Sequence, residues 1–218
     1  MFIFYFLFSD NIRVGLEIVM KEKYLDSTIS FITKYKEYSN EEIENMRYSL
    51  EGLYLTFTKL IIIFTLSIIL GIFKEVIILL VLFNTIRFTG FGFHAKTSLQ
   101  CLITSTLFFI GLPYLILSLE PSRTIMLIIG LCSLVCLAFF APADTIKRPL
   151  PNKKKRLYRK IGTITIAIIF IILSFIIKNN TISYLLIMAI MVEAIMVSPL
   201  IYRIFGQPYK NYLNYKMA

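Results

Sequence analysis

The chain of 218 residues is 57% hydrophobic and 17% charged, with a mean hydropathy of +0.76, which excludes an ordinary soluble domain because so much apolar surface cannot be hidden from water. Its 23 Lys and Arg against 13 Asp and Glu give a net charge of +10, a balance suited to membrane surfaces and acidic partners. Three cysteines without paired spacing in a loop argue against a disulfide framework and are read as free thiols.

Residues 1–19 open on "MFIFYFLFSD", an apolar run with no basic leader and no small-residue cleavage site, too short to span a bilayer. Met20 begins a more ordinary amphipathic stretch, and translation is expected to start there. Residues 1–52 read as an N-terminal cytosolic, amphipathic segment, 53–202 as a helical membrane domain and 203–218 as a cytosolic tail. Apolar windows fall at 53–73, 75–86, 99–119, 122–141, 160–178 and 182–202; all but the second reach the roughly 20 residues that a spanning helix needs. The expected fold is therefore all-α: a polytopic helical membrane protein with about six transmembrane segments, 75–86 being the weakest.

Several residues inside these windows carry expectations of their own. Pro113, in "FFIGLPYLIL", should kink or unwind the third span. Cys132 and Cys136 stand four apart on one helix face and are expected to be small buried residues. Glu193 is costly in lipid and should face the bundle interior with a partner, for which Lys59 is one choice. With a cytosolic N-terminus and six spans, the external turns hold only Lys74, Arg123 and Lys178 of the basic residues, as the positive-inside rule demands. The densest block, "IKRPLPNKKKRLYRK" at 146–160, contains Lys147 and Arg148; it attracts anionic lipid and could also grip an acidic peptide.

The stretch with chemical potential is "RFTGFGFHAKTSLQC", residues 87–101, which holds the only histidine, His94, seven residues before Cys101. In one straight helix the two would stand roughly 10.5 Å apart along the axis, beyond hydrogen-bond reach. A catalytic pair therefore needs a break between them. Gly90 and Gly92 permit one, and Thr97 or Ser98 could cap the helix that follows. Cys101 would then lie in a first helical turn, where the helix dipole favours the thiolate that attacks carbonyls. Arg87 and Lys96 add positive potential, and His94 could act as general base and then general acid. The alternative is a plain loop between two membrane helices.

Other chemistries have less support. One histidine and scattered cysteines make no usual zinc site, "GFGF" lacks the Lys-Ser/Thr of a phosphate-binding loop, and no serine nucleophile elbow is present. No metal, cofactor or nucleic-acid partner is expected.

These residues resemble the accessory gene regulator protein B (AgrB) family, membrane-embedded cysteine endopeptidases that process the precursor of a quorum-sensing peptide in Gram-positive bacteria. The resemblance runs from about residue 20 to about 203. It rests on "RFTGFGFHAKTSLQC" together with "APADTIKRPLP" at 141–151, and is supported by "MRYSLEGL" at 46–53 and "MVEAI" at 191–195. It implies His94 and Cys101 as the catalytic pair and Arg87 and Gly92 as supporting residues. Glu51 stands where some members have Gln; a carboxylate there could orient His94, or simply pair with Arg47 one helical turn before it.

The resemblance further implies a cell-membrane enzyme with both termini and its active site on the cytosolic side, needing no cofactor. Its partner would be an AgrD-like precursor peptide, whose acidic tail is removed and whose body is closed into a thiolactone or lactone. Membrane lipid is a second partner, and a homodimer is left open. The rival functions are a peptide exporter or permease component and an inert scaffold for a signalling kinase; no nucleotide motif or inverted repeat supports the first.

Overall fold

The computed structural model of the chain describes residues 10–36, 38–95, 97–145 and 149–214, including side chains except those of residues 10–20, Ser98 and Asn214. Among the described residues every extended element is helical, and an isolated parallel bridge joins Phe91 to Ala143. The helices are α1 (Asp10–Thr33), α2 (Asn40–Ile69), α3 (Phe73–Gly90), α4 (Ser98–Thr106), α5 (Leu112–Leu119), α6 (Arg123–Phe140), α7 (Lys153–Ile176), α8 (Asn180–Val197) and α9 (Pro199–Ile204). A π-helical turn, Leu107–Gly111, joins α4 to α5.

Five stretches are long and apolar enough to cross a membrane: α2, Leu99–Leu119, α6, α7 and α8. This is the architecture of a helical membrane protein. The remaining helix of the six expected, α3, has 18 residues and carries Lys74 and Glu75 at one end and Arg87 near the other. α2 runs unbroken through residues 52 and 53.

The chain forms two compact units, Met1–Ile62 and Ile63–Ala218. In the first, α2 begins with a capping box: Ser39 Oγ accepts from Glu42 N–H at 3.3 Å, and Glu42 Oε2 accepts from Ser39 N–H at 2.8 Å. Lys21 Nζ donates to Glu51 at 2.7 Å, which holds the ammonium above its usual range. Arg47 pairs with Glu22 and Asp26 rather than with Glu51. Tyr24 and Tyr54 rings pack at 5.4 Å.

In the second unit α8 is the central helix. Its sequence is apolar on all sides, it is buried along nearly its whole length, and α3, α6 and α7 pack against it. In lipid such contacts are held by close packing rather than by exclusion of water. Polar residues mark the helix starts: Ser122, Asn152 and Asn179 accept from the N–H groups of Ile125, Lys155 and Ile182.

The π-helical turn lies immediately ahead of Pro113. Leu112 N–H reaches Leu107 O, five residues back, so the wider turn absorbs the irregularity that a proline imposes. Cys132 is exposed on the bundle's outer face, contrary to the expectation of burial. Cys136 is half-buried and donates its thiol to Ala194 O at 3.4 Å. On a helix apolar on every side, composition does not reveal which side faces the bundle.

Candidate active site

The site region begins where α3 ends. Phe91 has φ +60° and returns its N–H to Arg87 O at 3.0 Å, and Gly92 follows at φ +93°. Two successive left-handed residues turn the helix into an extended strap running to His94. Its backbone is fixed on both sides. Gly92 N–H donates to Ala143 O at 2.8 Å and Ala143 N–H to Gly90 O at 3.1 Å, while Phe93 N–H donates to Met196 O at 2.8 Å. Gln207 Nε2 donates to His94 O at 2.6 Å. The strap thus lies between the 141–145 loop and the end of α8, with the exposed side chain of His94 at its far end.

Arg87 braces the strap from beneath. Its Nη2 donates to Phe93 O at 2.5 Å and Gly92 O at 3.4 Å, and Nη1 stands 3.5 Å from Glu193 Oε2. Glu193 is fully buried on α8, and its ion partner is Arg87 of the same unit. Its second oxygen has no hydrogen-bond partner among the described residues. The backbone of α3 comes so close that a Cβ at Gly90 would fall on that carboxyl.

Beyond the strap, Thr97 caps α4, its Oγ1 accepting from Gln100 N–H at 3.2 Å. Cys101 N–H then makes the first intrahelical bond, to Thr97 O at 3.1 Å. Cys101 is half-buried in the first turn of α4, with its Sγ 4.0 Å from Ser105 Oγ. This is the break between histidine and cysteine that catalysis requires. Thr97→Ala should lower stability by about 1 kcal/mol through loss of the cap, read as a drop in the thermal midpoint in detergent; Thr97→Ser should retain most of it.

The 141–145 loop is held by the segment following α9. The Ala141–Pro142 peptide is cis. Tyr202 OH donates to Asp144 O at 3.0 Å, Asn211 N–H donates to Asp144 Oδ1 at 2.9 Å, and Leu150 N–H donates to Oδ2 at 3.3 Å. Phe93 meets the Tyr202 ring edge to face at 6.0 Å and packs at a tilt against Phe205 at 4.7 Å. Burial raises the phenol of Tyr202 above its ordinary range and pushes that of Tyr209 up to about 12, so both stay protonated as donors at neutral pH.

Of the residues expected from sequence, Arg87 and Gly92 are in direct contact, His94 closes the strap and Cys101 opens α4. Glu51 belongs to the N-terminal unit and binds Lys21. Lys96, Lys147 and Arg148 lie outside the described residues. Sequence reasoning missed Gln207, Tyr202 and Asn211. Their only signal is a cluster of polar and aromatic residues in "IYRIFGQPYKNY" after the last apolar run, unusual for an idle tail.

The profile of the family Accessory gene regulator B matches residues 25–197. The accessory gene regulator protein B of Staphylococcus saprophyticus is 30% identical over 155 residues, covering 69% of this chain and 82% of that protein. Those of Staphylococcus aureus strains Newman and RF122 are 31% and 26% identical, each covering 68% of this chain and 80% and 79% of their own lengths. No solved structure matches the chain.

Proposed function

The chain belongs to the accessory gene regulator B family, and on that premise we propose that it is a cell-membrane cysteine endopeptidase that processes an AgrD-like autoinducer precursor. The observation that most supports this reading is the placement of Cys101 in the first turn of a separately capped helix, just beyond a strap that ends at His94. A simple interhelical loop needs neither the cap nor the bracing. In this reading both termini face the cytosol with the active site, as the basic residues concentrated at 146–160 favour.

The thiol proton of Cys101 passes to His94 as Sγ attacks the scissile carbonyl carbon. When the tetrahedral intermediate collapses, the C–N bond breaks, His94 gives its proton to the departing amine, and an acyl-thioester remains on Cys101. An internal Cys or Ser of the precursor then attacks that thioester, closing the ring and returning the Cys101 thiol. Exchange of one thioester for another is nearly balanced, so the site must hold the internal nucleophile close and keep water out. In this reading backbone N–H groups ahead of the capped Gln100 serve the oxyanion. Arg87 and Gly92 act through the strap, by positioning His94. Glu51, occupied by Lys21, ties the N-terminal helices together. The net charge of +10 draws in the precursor's acidic tail, a task to which Lys96, Lys147 and Arg148 contribute.

The test is mass spectrometry of the cognate precursor co-expressed with the intact protein, with Cys101→Ala and with His94→Ala. The intact protein should remove the tail and release a product lighter by one water than the linear fragment. Both variants should lose processing by at least ~100-fold. Processing by either variant at the parent rate would discard the proposal in favour of transport.

A further inference from the structure

We propose that the cavity between the end of α6, the start of α7 and the C-terminal segment binds the phosphate of an anionic membrane lipid. The cavity has a volume of ≈ 320 Å³ and is lined by four cations: Lys153, Arg156 and Lys160 on α7, and Lys210 on the C-terminal segment. The three α7 residues follow at spacings of three and four, which places them on one helix face.

These cations have little counter-charge among the described residues that line the cavity. Among the described residues Asp144 is the only acid lining the cavity, and it is 2% exposed with both carboxylate oxygens already accepting backbone N–H groups, from Asn211 and Leu150. Beyond Asp144 the sequence contains one further acidic side chain, Glu193, which is buried beside Arg87. Arg156 is held in place: its guanidinium lies 3.7 Å from the centre of the Tyr212 ring, and Nη1 donates to Leu150 O at 3.4 Å. The N-terminus of the 24-residue helix α7 adds positive potential.

The apolar rim identifies the source of the anion. Phe139 is 75% and Leu157 58% exposed beside the cations, and the apolar run of α7 begins at Ile161, directly after Lys160. The cavity therefore sits at the boundary between a spanning segment and its polar end, the level at which headgroups lie. A lipid matches both features, with its phosphate among the cations and its acyl chains along Phe139 and Leu157. Inorganic phosphate or the carboxylates of an acidic peptide would use the charge alone. The inference does not depend on the chemistry assigned to Cys101.

The test uses the full chain in dodecyl maltoside with equal amounts of dioleoyl phosphatidylglycerol and dioleoyl phosphatidylcholine, retained lipid being counted by native mass spectrometry. Phosphatidylglycerol should be retained about tenfold over phosphatidylcholine, and the double variant Lys153→Gln with Lys160→Gln should abolish that preference. The Arg156–Tyr212 stack is left in place by this variant. Lys178→Gln, in the turn between α7 and α8, should preserve the preference. Equal retention of the two lipids, or an undiminished preference in the folded double variant, overturns the proposal. Displacement by millimolar inorganic phosphate would assign the site to the free anion, and displacement by an equimolar glutamate-rich peptide would assign it to a peptide; either result also overturns it. Should the double variant fail to fold, the lipid ratio and the two competitions on the intact chain decide.

Discussion

Gly92→Ala is expected to abolish precursor processing and to lower stability by roughly 2–5 kcal/mol, the sum of a left-handed backbone imposed on alanine and overpacking at a closed site. At φ +93°, a Cβ would stand 2.7 Å from Arg87 Nη1 and 2.8 Å from Met196 O. One contact is with the side chain that braces the strap and the other is with backbone, so no flexible end can move aside. The strap would shift as a unit, carrying His94 with it, and a displacement of about 1 Å at a reacting group costs on the order of 100-fold in rate. Gly52→Ala provides the control. Gly52 is helical with open space around its Cβ position, and alanine there should leave processing intact while stabilising by up to about 1 kcal/mol. Thermal unfolding and tail removal, measured on both variants, check the pair.

The second large effect concerns Arg87 and Glu193. Arg87→Met should cost about 3–5 kcal/mol, because it leaves a fully buried carboxyl without its counter-charge. Glu193→Met alone should be milder, since Arg87 retains its carbonyl acceptors on Gly92 and Phe93. The informative variant is the double replacement. Removing both charged groups should restore much of the stability, yet processing should stay lost because the strap carbonyls have lost their donor. Arg87→Lys should fail as well: a single ammonium cannot copy the planar fork that reaches both the carboxyl and the strap. Were the double variant to recover processing along with stability, Arg87 would be a packing residue and not a positioning one.

Local signals in the sequence were legible where physics makes them local. Gly90 and Gly92 marked the break, Thr97 or Ser98 the new helix start and Pro113 the irregular third span, each through its own backbone preference. What could not be read were partners brought from far along the chain. The basic partner of the Glu193 carboxyl could not be read locally, and only the fold brings Arg87, 106 residues away in the chain, to it. The "APAD" stretch stood out as a motif, but nothing local shows that Ala143 pairs with Gly90 and Gly92, or that Tyr202 and Asn211 hold Asp144 in place. Residues 203–213 carry no helical period and so read as a tail, although Gln207, Tyr209 and Asn211 each bond back to the site region. Cys132 fails for the opposite reason, since a helix with no polar face gives no sign of which side is buried.

The central claim is that Cys101 carries the acyl group, and the most direct measurement is the intact mass of the purified protein after incubation with a cognate precursor whose internal Cys or Ser is replaced by alanine. With ring closure blocked, the acyl-enzyme should accumulate as an adduct equal to the precursor minus its tail, localised by peptide mapping to Cys101 and released by hydroxylamine. An adduct on Cys132 or Cys136, or tail removal at the full rate by Cys101→Ala, would contradict the account.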